Sequence, residues 1–436
     1  MRTARRDAGA GSIYQRADGM WVGALTLPDH DGSRRRKVVS HRTKAGVTTK
    51  LRALRAELDR AGDLPTSSPT VAAWMGQWLS RVAAPRLKPR TLATYRGYVE
   101  RYIVPSIGKV RLDRLTADHV RRLHAYALDA GKDKEGNPLP PRSSTTALQA
   151  HRILSKALTD AMREGRVSRN AATLVDAPRK AVSKRGALTA DDARRLLVAV
   201  AGDPDQAARC AVALLAGLRQ GERLGITDDA LDLERTITTP DGETVPAPVL
   251  TVSWQVQRLV WSHGCGERGK DGAWPCGKRQ AGACPSRHVY IPDDQEAVQV
   301  YGGLWMTRPK SRAGWREVPI PPLLHEVLAR YRAMRAPGDH GLIFTRDDGH
   351  PIDPRDDSAA WHRALELAGV PDVPLHSARH TTATLLLELG VPEPVRVAIM
   401  GHSSATVTAG YTHVADPLTR DAMGRLGALL TPQLEA

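Results

Sequence analysis

Aromatic residues are scarce in this sequence: Phe, Trp and Tyr make up 4% of its 436 residues. The cores must therefore be built from Leu, Val, Ile and Ala, and a hydrophobic content of 41% is enough for them. No apolar run reaches the roughly 20 residues a membrane-spanning helix needs, so none is expected. The first twelve residues, MRTARRDAGAGS, carry basic side chains without an apolar stretch and do not read as a secretory signal. A cytoplasmic protein is expected. Cysteine is also scarce, and four in a chain of this length do not make the disulfide scaffold of a secreted protein. Acidic residues are outnumbered, with 47 Asp and Glu against 63 Lys and Arg, for a net charge of +16. That excess points to an anionic partner, with nucleic acid the first candidate. A basic but inert surface is the alternative.

A chain this long exceeds one ordinary domain, so two or three are expected. Up to Leu64 it carries fourteen Lys or Arg against seven Asp or Glu. SIYQRADGMWVGALTLP alternates apolar and polar residues around Asp18-Gly19, which predicts a β-hairpin. GSRRRKVVSHR reads as a third strand, and Leu51, Leu54 and Leu58 stand at helical spacing behind it. Arg34, Arg35 and Arg36 on that strand suit a groove of DNA, or else blunt a solvated sheet edge. After the linker PTSSPT come four helical patterns, at 71–82, 91–102, 116–129 and 143–164. Basic residues are threaded through them, with Lys88 and Arg90 candidates for DNA contact. A basic, Pro-interrupted stretch at 177–186 marks a boundary. Beyond it the pattern is mixed. Helices are predicted at 189–200, 205–215, 323–336, 358–368, 377–389 and 394–400, with strands in VPAPVLTVS, RHVYIP and WREVPIP.

Three separated fragments place polar residues where a core would not want charge. In AGLRQGERLGI, Arg219 sits between Gly217 and Gly221, where a guanidinium can make paired hydrogen bonds to a phosphate. Alternatively it is a surface arginine paired with Glu222, three residues on. In PLHSARHTTATLLLELG, His376 and Arg379 share one face of a first helical turn, where the helix end also attracts an anion. His376 is otherwise a cap or a satisfied core histidine. In MGHSSATVTAGYTHV, His402 precedes Tyr411 by nine residues. With Lys310 in TRPKSRAGWREVPIP, surrounded by Arg308, Arg312 and Arg316, these residues form a set suited to phosphoryl transfer without a metal. Two guanidiniums would stabilise the phosphate charge, a tyrosine hydroxyl would attack phosphorus, and a lysine would protonate the leaving oxygen.

In order and spacing, GLRQGE, PKSRAGWREVP, HSAR, MGHSS and GYTHV resemble the motifs of the tyrosine recombinase family, the phage-integrase type. The resemblance spans about 69–416 and implies catalytic roles for Arg219, Lys310, His376, Arg379, His402 and Tyr411, with Glu222 as acidic support. It implies a multidomain, mainly α fold. An arm-type DNA-binding sheet-plus-helix module would occupy 1–64, an all-α core-binding domain 69–178 and a mixed α+β catalytic domain 186–436. Tyr411 would leave a 3′-phosphotyrosine, and a partner strand's 5′-hydroxyl would attack it within a homotetramer on double-stranded attachment sites. No catalytic cofactor is implied, while an excision factor or a host DNA-bending protein are possible partners. A catalytically silent regulator of the same fold and a type IB topoisomerase-like relaxase are the alternatives.

Three cysteines fall in SHGCGERGKDGAWPCGKRQAGACPSRHV, an insertion at about 261–288 that is too rich in Gly and charge to pack a core alone. A Zn²⁺ bound by Cys265, Cys276, Cys284 and one imidazole would fold it. His288 is taken as the fourth ligand, with His263 its competitor; free thiols on a loop are the alternative. Cys210, in an apolar helical pattern, is expected in the core. Finally, Met423, Leu426, Leu429 and Leu430 give a chain-terminal helix an apolar face that could dock on its own domain or on a neighbouring protomer; the resemblance implies the neighbour.

Overall fold

The structure is a computed structural model that describes residues 12–27, 36–61, 68–131, 139–181, 186–269, 272–293, 295–309, 314–401 and 416–432. The chain divides into two compact units, Met1–Val182 and Ser183–Ala436.

The first unit opens with a three-stranded antiparallel sheet of Ser12–Gln15, Trp21–Thr26 and Arg36–His41. The Asp18-Gly19 turn forms the predicted hairpin, with Arg16 N–H donating to Met20 O at 2.9 Å. Leu25, Leu27, Val47 and Leu51 form a small core between the sheet and the helix Lys44–Ala61. Gly23 lets that helix approach: a Cβ there would come within 2.6 Å of both Leu51 and Val47. Arg36 is exposed on its strand, while Arg34 and Arg35 lie outside the described residues.

The rest of this unit is helical. Val71–Gln77 runs on into π-helical turns at Trp78–Ala83, as Pro89–Tyr98 does at Val99–Ile103. The straight-helix periodicity read from the sequence misses both deviations. Ala117–Leu128 and Ser144–Arg163 are regular, and both bury one face. Trp74 and Trp78, each fully buried, donate to Ala157 O at 3.0 Å and to the Asp160 carboxylate at 2.9 Å. Lys88 caps Pro89–Tyr98, and Arg90 is exposed in its first turn.

The second unit surrounds a continuous aliphatic core. Its helices Ala190–Ala199 and Pro204–Leu215 start at side-chain caps, the first at the predicted Thr189 and Asp192 box. Cys210 is buried in the second, where burial pushes its thiol up to about 11. Two three-stranded sheets follow: Gln255–Arg258, Leu304–Thr307 and Ala297–Tyr301; and Arg316–Pro319, Val249–Val252 and Leu231–Asp232. RHVYIP, expected as a strand, contributes only a bridge between Ser262 and His288. Of the strands the sequence reading passed over, Ala297–Tyr301 and Leu304–Thr307 flank the Gly302-Gly303 turn. Helices Pro322–Met334, Pro354–Ala368, His376–Glu388 and Glu393–Met400 complete the scaffold.

The chain-terminal helix Asp416–Leu430 corrects one expectation. Met423, Leu426 and Leu430 are fully buried in the core of their own unit, so its apolar face is already covered within the chain. Among the described residues no helix is long and apolar enough to cross a membrane.

Candidate active site

The core helix Pro204–Leu215 ends at Gly217, whose φ of +59° suits glycine. A Cβ there would also meet Met400 and Thr382 at 3.0 Å. This turn delivers Arg219 to the start of the short helix Gln220–Leu224. Glu222 then folds back, accepting from the Arg219 backbone N–H at 3.1 Å and from its guanidinium at 2.6 Å. The pairing considered as a bland alternative for Arg219 is therefore present. It does not use up the residue, whose side chain remains 41% exposed while that of Glu222 is 2% exposed.

Arg379 follows His376 by one turn on the helix His376–Glu388. It is 3% exposed and donates to Gly217 O at 2.7 Å and to Met400 O. His376 itself is exposed, its ring edge-on to His380 at 4.9 Å. A third arginine joins them that was singled out only as a neighbour of Lys310. Arg316, on the strand Arg316–Pro319, donates to the second Glu222 oxygen at 3.0 Å and to Ile399 O at 2.8 Å. Arg219 adds a longer bond to Gly401 O, at 3.3 Å. Three guanidiniums from three elements thus meet three consecutive carbonyls, 399–401, at the C-terminal end of the helix Glu393–Met400. The partial negative charge of a helix C-terminus favours that arrangement.

The charges do not balance locally, since one carboxylate serves three guanidiniums. Burial raises the Glu222 carboxyl, but the Arg316 and Arg219 charges outweigh it and hold it below its ordinary value. Burial, with Arg219 and Arg316 nearby, pushes Arg379 down to about 9, which still leaves it protonated at neutral pH. The cluster therefore carries surplus positive charge that an anion such as phosphate would neutralise.

A second buried network holds this cluster from behind. Asp357, 1% exposed, accepts from Arg223 at 2.5 Å, from Arg209 at 3.1 Å and from Gln220 at 2.9 Å. It ties the Arg219 turn to the helix Pro354–Ala368. The only sequence signal for it was an acidic residue in register with the buried row Ala360, Trp361 and Ala364. Of the arginines around Lys310, Arg308 is also committed. It lies between Trp254 and Trp315, 3.5 and 4.7 Å from the ring centres, and bonds Glu296 at 2.7 Å. Lys310, Arg312, His402 and Tyr411 lie outside the described residues.

In the insertion, His263, Cys265, Cys276 and Cys284 bring their ligand atoms within 4.8 Å of one another, a group that could hold a metal ion. His288 is not in that group. Its backbone pairs with that of Ser262 (N···O 2.7 and 3.1 Å). The His263 Nδ1 lies 3.4 Å from Cys276 Sγ and 3.8 Å from Cys265 Sγ. Tetrahedral zinc with bonds of about 2.0–2.3 Å needs ligand separations of roughly 3.5–3.8 Å. Burial raises the Cys284 thiol, but hydrogen bonds from the Ser286 and Gly264 backbone and from His263 bring it down to about 6.

The comparisons agree with the motifs. The Phage integrase family matches residues 294–417, and the family described as "Phage integrase, N-terminal SAM-like domain" matches 70–126. An integrase of Saccharopolyspora erythraea is 30% identical over 446 residues, covering 97% of each chain. A tyrosine recombinase XerC-like protein of Caldanaerobacter subterraneus is 24% identical, covering 83% of each. The fold is similar to that of the Tn1549 transposon integrase, solved with a circular intermediate DNA, at a TM-score of 0.57 and 19% identity, covering 82% of this chain and all of that one. Fold, motifs and relatives define a tyrosine-type site-specific recombinase, an enzyme that breaks and rejoins DNA strands. The chain belongs to the phage integrase family and is a site-specific recombinase of mobile elements, and neither alternative reading is favoured.

Proposed function

We propose that this recombinase integrates, and excises, its mobile element by the following chemistry. The Tyr411 hydroxyl attacks the scissile phosphorus. The new O–P bond replaces the bond to the 5′-oxygen, giving a 3′-phosphotyrosine and a free 5′-hydroxyl. A tyrosine pKa of about 10 keeps the hydroxyl protonated at neutral pH, so a neighbouring base is required, and His376 and His402 are the candidates. Arg219 and Arg379 bind the non-bridging oxygens, and Lys310 gives its proton to the leaving 5′-oxygen. The 5′-hydroxyl of a partner duplex then reverses the step on the new strand. The observation that carries this reading is the three-arginine cluster, with its surplus positive charge, at the carbonyl end of the helix that leads into His402 and Tyr411.

The remaining parts follow from the same reading. The module 1–64 contacts arm-type DNA through Arg34, Arg35 and Arg36, and 69–178 contacts the core site with Lys88 and Arg90. The exposure of Arg36 and Arg90 supports both. Four copies assemble on paired attachment sites in the bacterial nucleoid, with an excision factor or a host bending protein setting direction. One structural zinc, on His263, Cys265, Cys276 and Cys284, folds the insertion.

The test is Tyr411→Phe with a nicked suicide duplex cut from the chromosomal junction of the element. Band shifts are expected unchanged, and covalent protein–DNA adducts are expected to vanish. Persistent adducts would overturn the assignment of the nucleophile. Relaxation of plasmids lacking any junction would favour the topoisomerase-like reading instead.

A further inference from the structure

Of the two guanidiniums that bond the Glu222 carboxylate, Arg316 is the more buried: its side chain is 6% exposed, against 41% for Arg219. A cation taken out of water is costly unless geometry and charge compensate it, so its partners explain why it is there. Nη2 donates to Glu222 Oε2 at 3.0 Å, Nε to Ile399 O at 2.8 Å, and Nη1 to Gly314 O at 3.3 Å. These are three acceptors in different directions, which a planar fork can satisfy together and a lysine ammonium cannot reach at once. The strand itself is fixed by pairing Arg316 with Val252.

The consequence lies one bond further out. Glu222 is shared: Arg219 takes one oxygen with its guanidinium, and Arg316 shares the other with the Arg219 backbone N–H. With Arg316 in place, Glu222 cannot rotate away from Arg219. The hold on Ile399 likewise anchors the end of the helix Glu393–Met400, two residues before Gly401, the acceptor of Arg219's weaker 3.3 Å bond. Arg219 is thus held at Glu222 and Gly401 while its side chain stays 41% exposed. We propose that Arg316 is a positioning residue for strand cleavage. It acts through Glu222 and the 399 carbonyl to hold Arg219 in the orientation that receives the scissile phosphate. This rests on the reading of Arg219 as a phosphate ligand.

The experiment is a double-mutant cycle on the full chain, using the suicide duplex at saturating protein and reading the rate of covalent adduct formation. Arg316→Met is expected to slow that rate about 10- to 100-fold, as loss of a supporting partner typically does, with DNA affinity unchanged. Arg316→Lys should recover only part of the rate. Glu222→Gln should cause a loss of similar size. If Arg316 acts through Glu222, the double variant is barely slower than Glu222→Gln alone. Multiplying losses would overturn the proposal, as would a wild-type rate in Arg316→Met or an affinity that falls in step with the rate. Should Arg316→Met unfold, Arg316→Lys carries the same cycle, with thermal melting as the control for folding. Arg219→Lys separates the two levels. A wild-type rate in that variant would sink the phosphate reading itself, whereas a slow Arg219→Lys beside a fast Arg316→Met would sink only the positioning role.

Discussion

Arg316 and Glu222 stand 94 residues apart in the chain and 3.0 Å apart in the fold. Their bond joins the strand Arg316–Pro319 to the short helix that begins at Arg219. Because Glu222 also holds Arg219, one buried carboxylate sets the geometry of two guanidiniums. It leaves the neighbourhood short of negative charge, which is the condition for receiving a DNA phosphate.

Removing the Glu222 charge should cost stability in a pH-dependent way. Its folded-state pKa lies below the ordinary 4.5. Its contribution is therefore fully present above that value and is lost as pH falls through the folded one. Glu222→Gln should melt earlier than wild type at pH 7, by about 3 kcal/mol if it behaves as a broken buried pair. The gap should narrow in melts run at pH falling below 4.5. A gap that stays constant with pH would mean the loss is one of packing.

The zinc reading makes a choice between two histidines. Purified protein should carry about one zinc per chain, and cobalt substitution should give a thiolate charge-transfer band. Cys276→Ser and His263→Ala should lose the metal, while His288→Ala keeps it. Loss in His288→Ala with retention in His263→Ala would reverse the ligand assignment.

The terminal helix should behave as core. Leu426→Ala removes a fully buried side chain and should cost about 2–5 kcal/mol. Truncation after Asp416 should therefore lower the melting temperature of the catalytic unit and weaken single-site binding as well as synapsis. A truncated chain that melts normally but fails only in synapsis would restore the neighbour-docking expectation.

In the helical part of the first unit, His124 Nε2 lies 3.0 Å from His151 Nδ1, and His151 is 7% exposed. Burial pushes both below 6.5, His124 further through His151 and His151 further through Arg152. The unfolded chain then binds more protons than the folded one, so stability is present above 6.5 and falls as pH drops below it. Amide protection in Ala117–Leu128 and Ser144–Arg163, with the intrinsic pH dependence of exchange divided out, should fall as pH drops below 6.5, and His151→Gln should flatten that response. An equal fall in the variant would count against the pair.

Much of this protein is legible locally. Period-2 alternation around Asp18-Gly19 determines the first hairpin. Thr189 with Asp192 determines a helix start. Arg219 with Glu222, and His376 with Arg379, sit three residues apart, within the reach of one helical turn, so their proximity is written into the sequence. Other features needed the fold. Arg316 looked like one basic residue among several beside Lys310 until sheet pairing carried it to Glu222. Asp357 was not singled out in the sequence, and three partners from two other helices meet it in the fold. His263 and His288 were both candidates by spacing, and the fold brings His263 among the three thiols. For Arg316 and Asp357 the deciding contact spans tens of residues or more. Its geometry is set by strand pairing and helix packing, which local periodicity does not encode.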